Sequence, residues 1–240
     1  MGNFQSKVYP FIIQKKWALG IIDVQVDFLH GGSLAIRESE FIVAPINKLK
    51  YLCEQRSIPT FVSNDSHPED HMSFAATHKK NEYEDIKLNL VMENGDNITV
   101  KQTLWPQHCI EGSQGSLLHP DLIILPHDFI IKKGTKKNVE SYSAFGDEYQ
   151  GKYEKTKLKK WLESNGITDI ILVGLATDFC VYYTALDALR HKFNVHIINS
   201  CTRGVSKKTT EEAINDMVNK GVKFYESVDE FCYYFVNTMI

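Results

Sequence analysis

One cysteine stands where the sequence predicts chemistry. Cys180 follows an apolar run that predicts a buried strand, and it opens a helical pattern, so the N–H groups of the first helical turn would favour its thiolate. Asp23 and Lys133 also follow predicted strands. A carboxylate that takes the thiol proton and an ammonium that stabilises the thiolate activate a cysteine nucleophile. The three residues therefore predict nucleophilic catalysis, with a packed core thiol at Cys180 as the alternative.

A second group of residues has the side chains of a metal site. Asp65 and His67 are separated by one residue after another predicted strand, and His71 and His108 follow along the chain. Imidazole nitrogens and a carboxylate that converge near one strand end suit zinc or a similar divalent ion. The alternative is that these are ordinary surface residues, because the spacing is compatible with a metal site without establishing one.

Six apolar runs alternate with helical patterns and must bring these residues together. Such alternation predicts an α/β fold, a three-layer, doubly wound, Rossmann-like sheet of six parallel strands with helices on both faces. Ligands collect at the carboxyl ends of the strands in such sheets, where the candidate residues stand. The predicted strands cover residues 17–22, 59–64, 129–132, 169–174, 195–199 and 222–225, and the predicted helices cover 41–55, 155–165, 178–191, 208–220 and the last part of the chain.

The stretch from about residue 82 to 102 departs from this alternation. Its polar and apolar residues alternate around Asn94-Gly95, a strong hairpin signal, so it predicts a small inserted β-hairpin beside the site. No repeat or low-complexity tract divides the chain, and 240 residues lie within the range of one α/β domain. We therefore expect a single domain over residues 1–240.

The composition narrows the class of partner. With 43% hydrophobic and 24% charged residues, the chain matches an ordinary globular protein. Its 27 basic and 30 acidic residues are mixed along the sequence, which excludes a strong footprint for nucleic acid or an anionic membrane. The sequence shows neither an export signal nor a membrane span, and its five widely spaced cysteines argue against a disulfide framework. We expect a cytoplasmic protein, with the nucleus as an alternative, that binds a small molecule.

Six motifs in family order resemble the nicotinamidase and pyrazinamidase branch of the isochorismatase-like cysteine hydrolases. One motif could arise by chance, whereas six that span most of the chain identify it as a member of this family. The segment at 81–102 departs from the pattern, because it is longer and more charged than the connection in bacterial members. The motifs are IIDVQVDF at 21–28, SNDSHPEDHMSF at 63–74, TLWPQHC at 103–109, KKGT at 132–135, YSAF at 142–145 and GLATDFCV at 174–181.

The resemblance implies how the catalytic residues divide the work. Asp23, Lys133 and Cys180 match the family's catalytic triad, the same three residues that the strand ends predict. The family has a cis peptide before the alanine of its GxAxDxCV segment, which here is Ala176. That turn would aim the backbone N–H groups of Ala176 and Cys180 into the site as an oxyanion hole.

The resemblance also implies a metal ion and a binding site for an aromatic ring. Asp65, His67 and His108 match the family's metal ligands, and His71 matches a further ligand that only some members use. The implied ion is divalent, zinc first, with manganese and iron as alternatives. The residues that match ring-flanking aromatic positions, unless they are ordinary core residues, are Phe28, Trp105 and Tyr142.

The implied activity is hydrolysis of nicotinamide to nicotinate and ammonia through a thioester on Cys180, as part of NAD salvage. The WPQHC segment at 105–109 favours this branch over isochorismatases, which generally lack the metal ligands. Three alternatives stay open: another amide hydrolase of this fold acting on pyrazinamide or an N-carbamoyl substrate, a metalloenzyme whose bound water is the nucleophile, and a noncatalytic ligand-binding relative. A homo-oligomer is compatible with all of them.

Overall fold

The computed structural model describes residues 15–92, 94–147 and 152–238. Residues 1–14, where the sequence predicts no export signal, lie outside this range. Among the described residues, every helix is too short or too polar to cross a membrane. The organisation of residues 1–240 as a single domain stays a prediction.

The fold is built on a parallel sheet of six strands with the order β5-β2-β1-β6-β7-β8. This confirms the predicted doubly wound α/β architecture. The central strands β1 and β6 are buried along their whole length because helices cover both of their faces. The strands are β1 (Trp17–Ile22), β2 (Thr60–Asp65), β3 (Asp85–Val91), β4 (Asn97–Thr103), β5 (Phe129–Lys133), β6 (Asp169–Leu175), β7 (Asn194–Arg203) and β8 (Lys223–Tyr225).

Helices on the two faces of the sheet complete the three layers. Alternate residues of a strand point to opposite faces, so Leu19 and Ile21 of β1 join the core under α1 and α6, whereas Ala18 and Ile22 join the core under α3, α4 and α5. Short 3₁₀ turns occupy Val26–Phe28 and Ser39–Ile42. The helices are α1 (Val43–Glu54), α2 (Ala75–His78), α3 (Leu158–Ser164), α4 (Cys180–Arg190), α5 (Lys207–Asn219) and α6 (Val228–Thr238).

Most predicted element boundaries are within two residues of those in the structure, and two differ by more. The helix predicted from residue 155 begins only at Leu158, because Lys155 pairs with Gly146 in an antiparallel bridge and the Thr156 hydroxyl donates to the Ala144 carbonyl at 2.7 Å. Strand β7 continues four residues past its predicted end, to Arg203. A register shift lets the polar end of β7 pair with β6, and a polar segment gives no apolar alternation to detect.

The inserted hairpin is present as a separate two-stranded antiparallel sheet of β3 and β4. Its register pairs Leu88 with Val100 and Leu90 with Ile98, so the apolar side chains share one face. Gly95 in the turn has a φ of +86°, the left-handed conformation that the Asn94-Gly95 signal predicts. The ribbon ends two residues before Trp105.

Glycine is required at position 174, where β6 passes β1 beside the site. Gly174 has a φ of +115°, and a Cβ atom there would lie 2.1 Å from the carbonyl oxygen of Ile22. Ile22 is the residue before Asp23, so a side chain at position 174 would push on the backbone that carries the candidate carboxylate.

We expect Gly174→Ala to lower the free energy of unfolding by at least ~3 kcal/mol, since it adds a backbone clash to the strain of a positive φ. Gly95→Ala is the matched control, because Gly95 also has a positive φ but nothing lies within 4 Å of the added Cβ. That control should lose only ~1–2 kcal/mol. Urea unfolding followed by tryptophan fluorescence measures both. Equal losses would show that the close approach of the two strands costs nothing.

Candidate active site

The side chain of Lys133 is the centre of the site. It is the last residue of β5, pairs in register with Asp65 of β2, and is fully buried. The two carboxylates nearest to it come from neighbouring strands, because β5, β2 and β1 are adjacent in the sheet. Its Nζ lies 2.6 Å from Asp65 Oδ1, 2.9 Å from Asp23 Oδ2, 3.2 Å from the Ser141 carbonyl oxygen and 3.4 Å from Cys180 Sγ.

The two carboxylates keep this buried amine charged. Burial alone would lower the pKa of Lys133, but Asp23 and Asp65 outweigh that effect and raise it well above 10.5. The triad residues that the sequence predicts are therefore brought together around a fixed positive charge.

Asp23 has the environment of a strengthened base. It follows β1 directly with a φ of +48°, which turns its side chain back towards the strand ends. Its Oδ1 accepts a hydrogen bond from Ser63 Oγ at 2.7 Å. Burial raises the pKa of Asp23, although Lys133 opposes the shift. A carboxylate with a raised pKa holds a proton more firmly than an ordinary aspartate does.

Cys180 is the first residue of α4 and is only 6% exposed. Burial raises its pKa well above 9.0, and Lys133 opposes that shift without reversing it. The resting side chain is therefore a thiol. A neighbouring base must take its proton before the sulfur can act as a nucleophile.

The turn between β6 and α4 has the conformation that the resemblance implies. The peptide bond between Leu175 and Ala176 is cis. The Ala176 carbonyl accepts from the N–H groups of Phe179 and Val181, and the Thr177 N–H donates to the Arg203 carbonyl. These bonds fix the turn that carries Ala176 and the start of α4. An oxyanion hole made of the Ala176 and Cys180 N–H groups stays a prediction.

Asp65, His67 and His108 form a cluster whose ligand atoms all lie within 4.8 Å of one another. His67 Nδ1 donates to the Gly134 carbonyl at 2.9 Å, and His108 Nδ1 donates to the Pro106 carbonyl at 2.7 Å. These bonds engage both Nδ1 atoms, so Nε2 is the position that a metal would take on each ring. Burial alone would lower the pKa of His67, but Asp65 outweighs that effect and raises it, so a metal would displace a proton from this ring. Two imidazoles and one carboxylate with fixed orientations fit a divalent ion such as zinc.

The charges of the cluster also suit a metal. Burial, together with His67, lowers the pKa of His108 to about 4, so His108 is a neutral imidazole and can act as a ligand. Asp23, Asp65 and Cys180 also lie within 4.8 Å of one another. In that second group the Lys133 ammonium already supplies the positive charge, so the histidine cluster is the better candidate for a metal site.

Both ring nitrogens of His71 have protein partners in the structure, and its role as a further metal ligand stays a prediction. Its Nε2 donates to the Val139 carbonyl at 3.0 Å, and its Nδ1 lies 2.7 Å from Ser73 Oγ. The His71 ring packs on His67 with 4.3 Å between the centroids. His71 therefore packs against the candidate ligand His67, and hydrogen bonds to Val139 and Ser73 hold its own ring in place.

The site has two halves, a catalytic half with Asp23, Lys133 and Cys180 and a metal half with Asp65, His67 and His108. A pocket lined by the metal half, Cys180 and aromatic rings joins them. Trp105 Nε1 donates to the Tyr142 hydroxyl at 3.0 Å, and both rings contact Phe179, with centroid separations of 4.8 and 5.5 Å. Phe28 lies 5.4 Å from the His108 ring. All three aromatic residues predicted from the sequence therefore line one pocket, and Phe179 is an addition.

Sequence reasoning missed several polar residues that shape the site. Gln25 donates to the Asp65 carbonyl and accepts from the Asp65 N–H, each at 2.8 Å, which fixes the backbone of a candidate ligand. Glu140 lines the pocket, and burial raises its pKa. Gln25 belongs to the IIDVQVDF motif and Glu140 follows the KKGT motif, but only the fold shows which of these side chains turn inwards.

Comparisons with known proteins agree with this geometry. A family model described as the isochorismatase domain matches residues 18–227. The nicotinamidase of Escherichia coli is 36% identical over 214 residues, which cover 88% of this chain and 95% of that protein. The solved structure of an Acinetobacter baumanii nicotinamidase is 36% identical, with a TM-score of 0.79 over 90% of this chain and 98% of that one.

A further solved structure concerns the metal. The pyrazinamidase of Pyrococcus horikoshii, in complex with zinc, is 28% identical, with a TM-score of 0.71 over 88% of this chain and 98% of that one. The family model covers well over half of the sequence, and the six-stranded parallel sheet is the fold of the solved relatives. The chain therefore belongs to the isochorismatase family.

Proposed function

We propose that the protein is a nicotinamidase, a hydrolase that converts nicotinamide and water into nicotinate and ammonia. The observation that carries the proposal is the buried contact of Lys133 Nζ with Asp23 at 2.9 Å and with Cys180 Sγ at 3.4 Å, at the edge of a pocket that also contains Asp65, His67 and His108. Similarity to the E. coli nicotinamidase over most of the chain supports the same reaction. The product would feed NAD salvage in the cytoplasm or the nucleus.

The first half-reaction begins with proton transfer from Cys180 to Asp23. The two side chains are within hydrogen-bond reach for this transfer, since, after burial, a hydrogen bond to Asp23 is among the causes that raise the pKa of the Cys180 thiol. The sulfur then forms a bond to the carboxamide carbon, and the carbonyl oxygen takes the negative charge. The N–H groups of Ala176 and Cys180 would hold this oxyanion, and loss of one such donor costs ~100–1000-fold in rate.

The second half-reaction uses the same carboxylate. Asp23 returns its proton to the leaving nitrogen, so that ammonia departs and a thioester of Cys180 remains. Asp23 then removes a proton from water, whose oxygen attacks the thioester carbon. The products are nicotinate and the regenerated thiol. Lys133 keeps its charge throughout and stabilises the thiolate and the Asp23 carboxylate in turn.

Substrate binding is the role of the rest of the pocket. Trp105, Tyr142 and Phe28 present ring faces and edges suited to a flat heteroaromatic ring. Asp65, His67 and His108 would hold one divalent ion, zinc first among the candidates, which when bound supplies a Lewis-acidic position that orients the pyridine ring. The main contribution of the aromatic rings and the metal half is to orient the carboxamide of the substrate towards the Cys180 sulfur.

We expect Cys180→Ala to lower the rate of ammonia release from nicotinamide by at least ~10⁴-fold, because it removes the nucleophile. Cys201→Ala is the matched control. Cys201 is also a buried free cysteine, but it lies in β7 away from the pocket. The control should keep near-normal turnover. The measurement is ammonia release by purified proteins of equal melting temperature.

A Cys180→Ala protein that still turns over at the control rate would remove the covalent mechanism. Activity that survives selective thiol alkylation would favour a metal-bound water as the nucleophile. If the metal-loaded and folded wild type released no ammonia from nicotinamide but did so from another carboxamide, the substrate assignment would be wrong while the chemistry stood.

We expect chelation to remove activity and stoichiometric zinc to restore it, because the metal half positions the ring. His108→Asn should weaken zinc binding by at least ~100-fold, more than loss of a supporting contact costs, and raise KM more than it lowers kcat. His30→Asn, a change at an exposed histidine, is the control. Metal content and steady-state kinetics at several zinc concentrations measure both effects. Unchanged zinc content in His108→Asn would exclude His108 as a ligand.

A further inference from the structure

The carboxylate of Glu154 is buried, with 7% exposure, and receives four hydrogen bonds. The backbone N–H groups of Gly134 and Thr135 donate to it at 3.1 and 2.9 Å. The Thr135 hydroxyl donates at 2.6 Å, and the Ser141 hydroxyl donates to the second oxygen. Each carboxylate oxygen thus accepts two hydrogen bonds, which are the full set that an ionised carboxylate can use in this geometry.

Two of these donors belong to residues that touch the active site through their carbonyl groups. The Gly134 carbonyl accepts the hydrogen bond from His67 Nδ1 at 2.9 Å. The Ser141 carbonyl accepts the hydrogen bond from Lys133 Nζ at 3.2 Å. Glu154 therefore holds, through one residue on each side, a candidate metal ligand and the candidate catalytic lysine.

Close packing makes the Gly134 connection rigid. A Cβ atom on Gly134 would lie 2.4 Å from the His67 ring, so this backbone is pressed directly against the imidazole. A shift of Gly134 must therefore move either the ring or its hydrogen bond. Because the Nδ1 bond orients the ring, it also sets where Nε2 lies for a metal.

The segment that carries Glu154 is fixed as well. The Asp147 carboxylate accepts from the Tyr153 and Glu154 N–H groups, and the Asp147 N–H donates to the Glu154 carbonyl at 3.0 Å. Gly146 leaves room for this pairing, since a Cβ there would lie 2.3 Å from the Glu154 carbonyl oxygen. The backbone of Glu154 is thus fixed by Asp147 and does not depend on the KKGT loop for its position.

We propose that Glu154 is a positioning residue that sets the metal half and the catalytic half of the site together. It lies behind both halves and acts on the metal through Gly134 and His67, and on the thiol through Ser141 and Lys133. The kinetic part of this inference rests on the proposed nicotinamidase function. The metal part does not, because zinc affinity is measured without any reaction.

Glu154→Gln tests the proposal with almost no change of shape. An amide accepts hydrogen bonds only through its single oxygen, and its NH₂ group would face two of the four donors. Either the Gly134–Ser141 pair or the Thr135 pair of bonds is lost. Both losses reach His67, because the Thr135 N–H belongs to the same planar peptide group as the Gly134 carbonyl that accepts from the His67 ring. Ser141→Ala separates the two arms, because it leaves the Gly134 N–H bond in place and removes only the hydroxyl bond behind Lys133.

The control is Asp169→Asn, at the opposite end of β6. Asp169 is also a fully buried carboxylate, and it accepts hydrogen bonds from Thr168 and pairs with His196 at 3.2 Å. We expect it to lower the melting temperature as Glu154→Gln does. It should leave zinc affinity and kcat unchanged, because it touches neither arm.

The experiment measures the zinc dissociation constant of the metal-stripped full chain by competition with a chromophoric chelator, and then kcat at saturating zinc. Glu154→Gln should weaken zinc binding ~10–100-fold, the range for supporting contacts of metal ligands, and lower kcat as well. Ser141→Ala should lower kcat and leave zinc affinity unchanged.

Unchanged zinc affinity in a folded Glu154→Gln protein would overturn the proposal, as would an equal loss of affinity in Asp169→Asn or a wild type that does not bind zinc. If Glu154→Gln fails to fold, Glu154→Asp takes its place, because it keeps the charge but withdraws the carboxylate from its donors. A wild type without amidase activity, combined with weakened zinc binding in Glu154→Gln, would refute the nicotinamidase function and leave the positioning role supported.

Discussion

The charge of one buried ammonium group must be balanced, and this requirement organises the site. Lys133 is fully buried, and removal of one partner from a buried ion pair typically costs ~3–5 kcal/mol. Its two partners lie in different parts of the site. Asp23 is next to the Cys180 thiol, and Asp65 is part of the candidate metal cluster. The two halves of the site are therefore joined by electrostatics before any substrate arrives. The strand order makes this possible, since β5, β2 and β1 are neighbours and end at one edge.

The backbone supports this arrangement with a few unusual conformations. Asp23 has a positive φ directly after β1, and Gly174 has one where β6 passes the same point. Hydrogen-bonded side chains then fix what the strands bring near: Gln25 holds the Asp65 backbone, and Ser63 holds the Asp23 carboxylate. Preorganised groups of this kind lower the cost of reorganisation during the reaction. The strands bring Asp23 and Asp65 close together, and buried hydrogen bonds then fix their exact positions.

Much of the fold could be predicted from the sequence because its signals are local. Apolar runs place all six strands, and Asn94-Gly95 places the hairpin turn. The candidate site residues could be collected because polar residues at the carboxyl ends of parallel strands converge. The start of α3 could not be predicted, since it depends on the pairing of Lys155 with Gly146, which is not a neighbour in the sequence. The contacts of Gln25 and Glu154 could not be predicted either, because they depend on which distant backbone groups these side chains meet.

The hairpin of β3 and β4 gives the fold a part that can be exchanged. The chain enters and leaves this ribbon at one point, where Thr103 Oγ1 donates to Asp85 Oδ1 at 2.6 Å. Doubling the length of such a loop costs only ~0.6 kcal/mol in closure entropy. Lengthening the ribbon keeps this point of entry, whereas trimming it to Asp85 and Thr103 would remove the bonds of Gln102 to Tyr142 and of Asp96 to Lys152 and Tyr153. Evolution could rebuild the surroundings of the pocket in this segment while the chemistry of the sheet edge stayed constant.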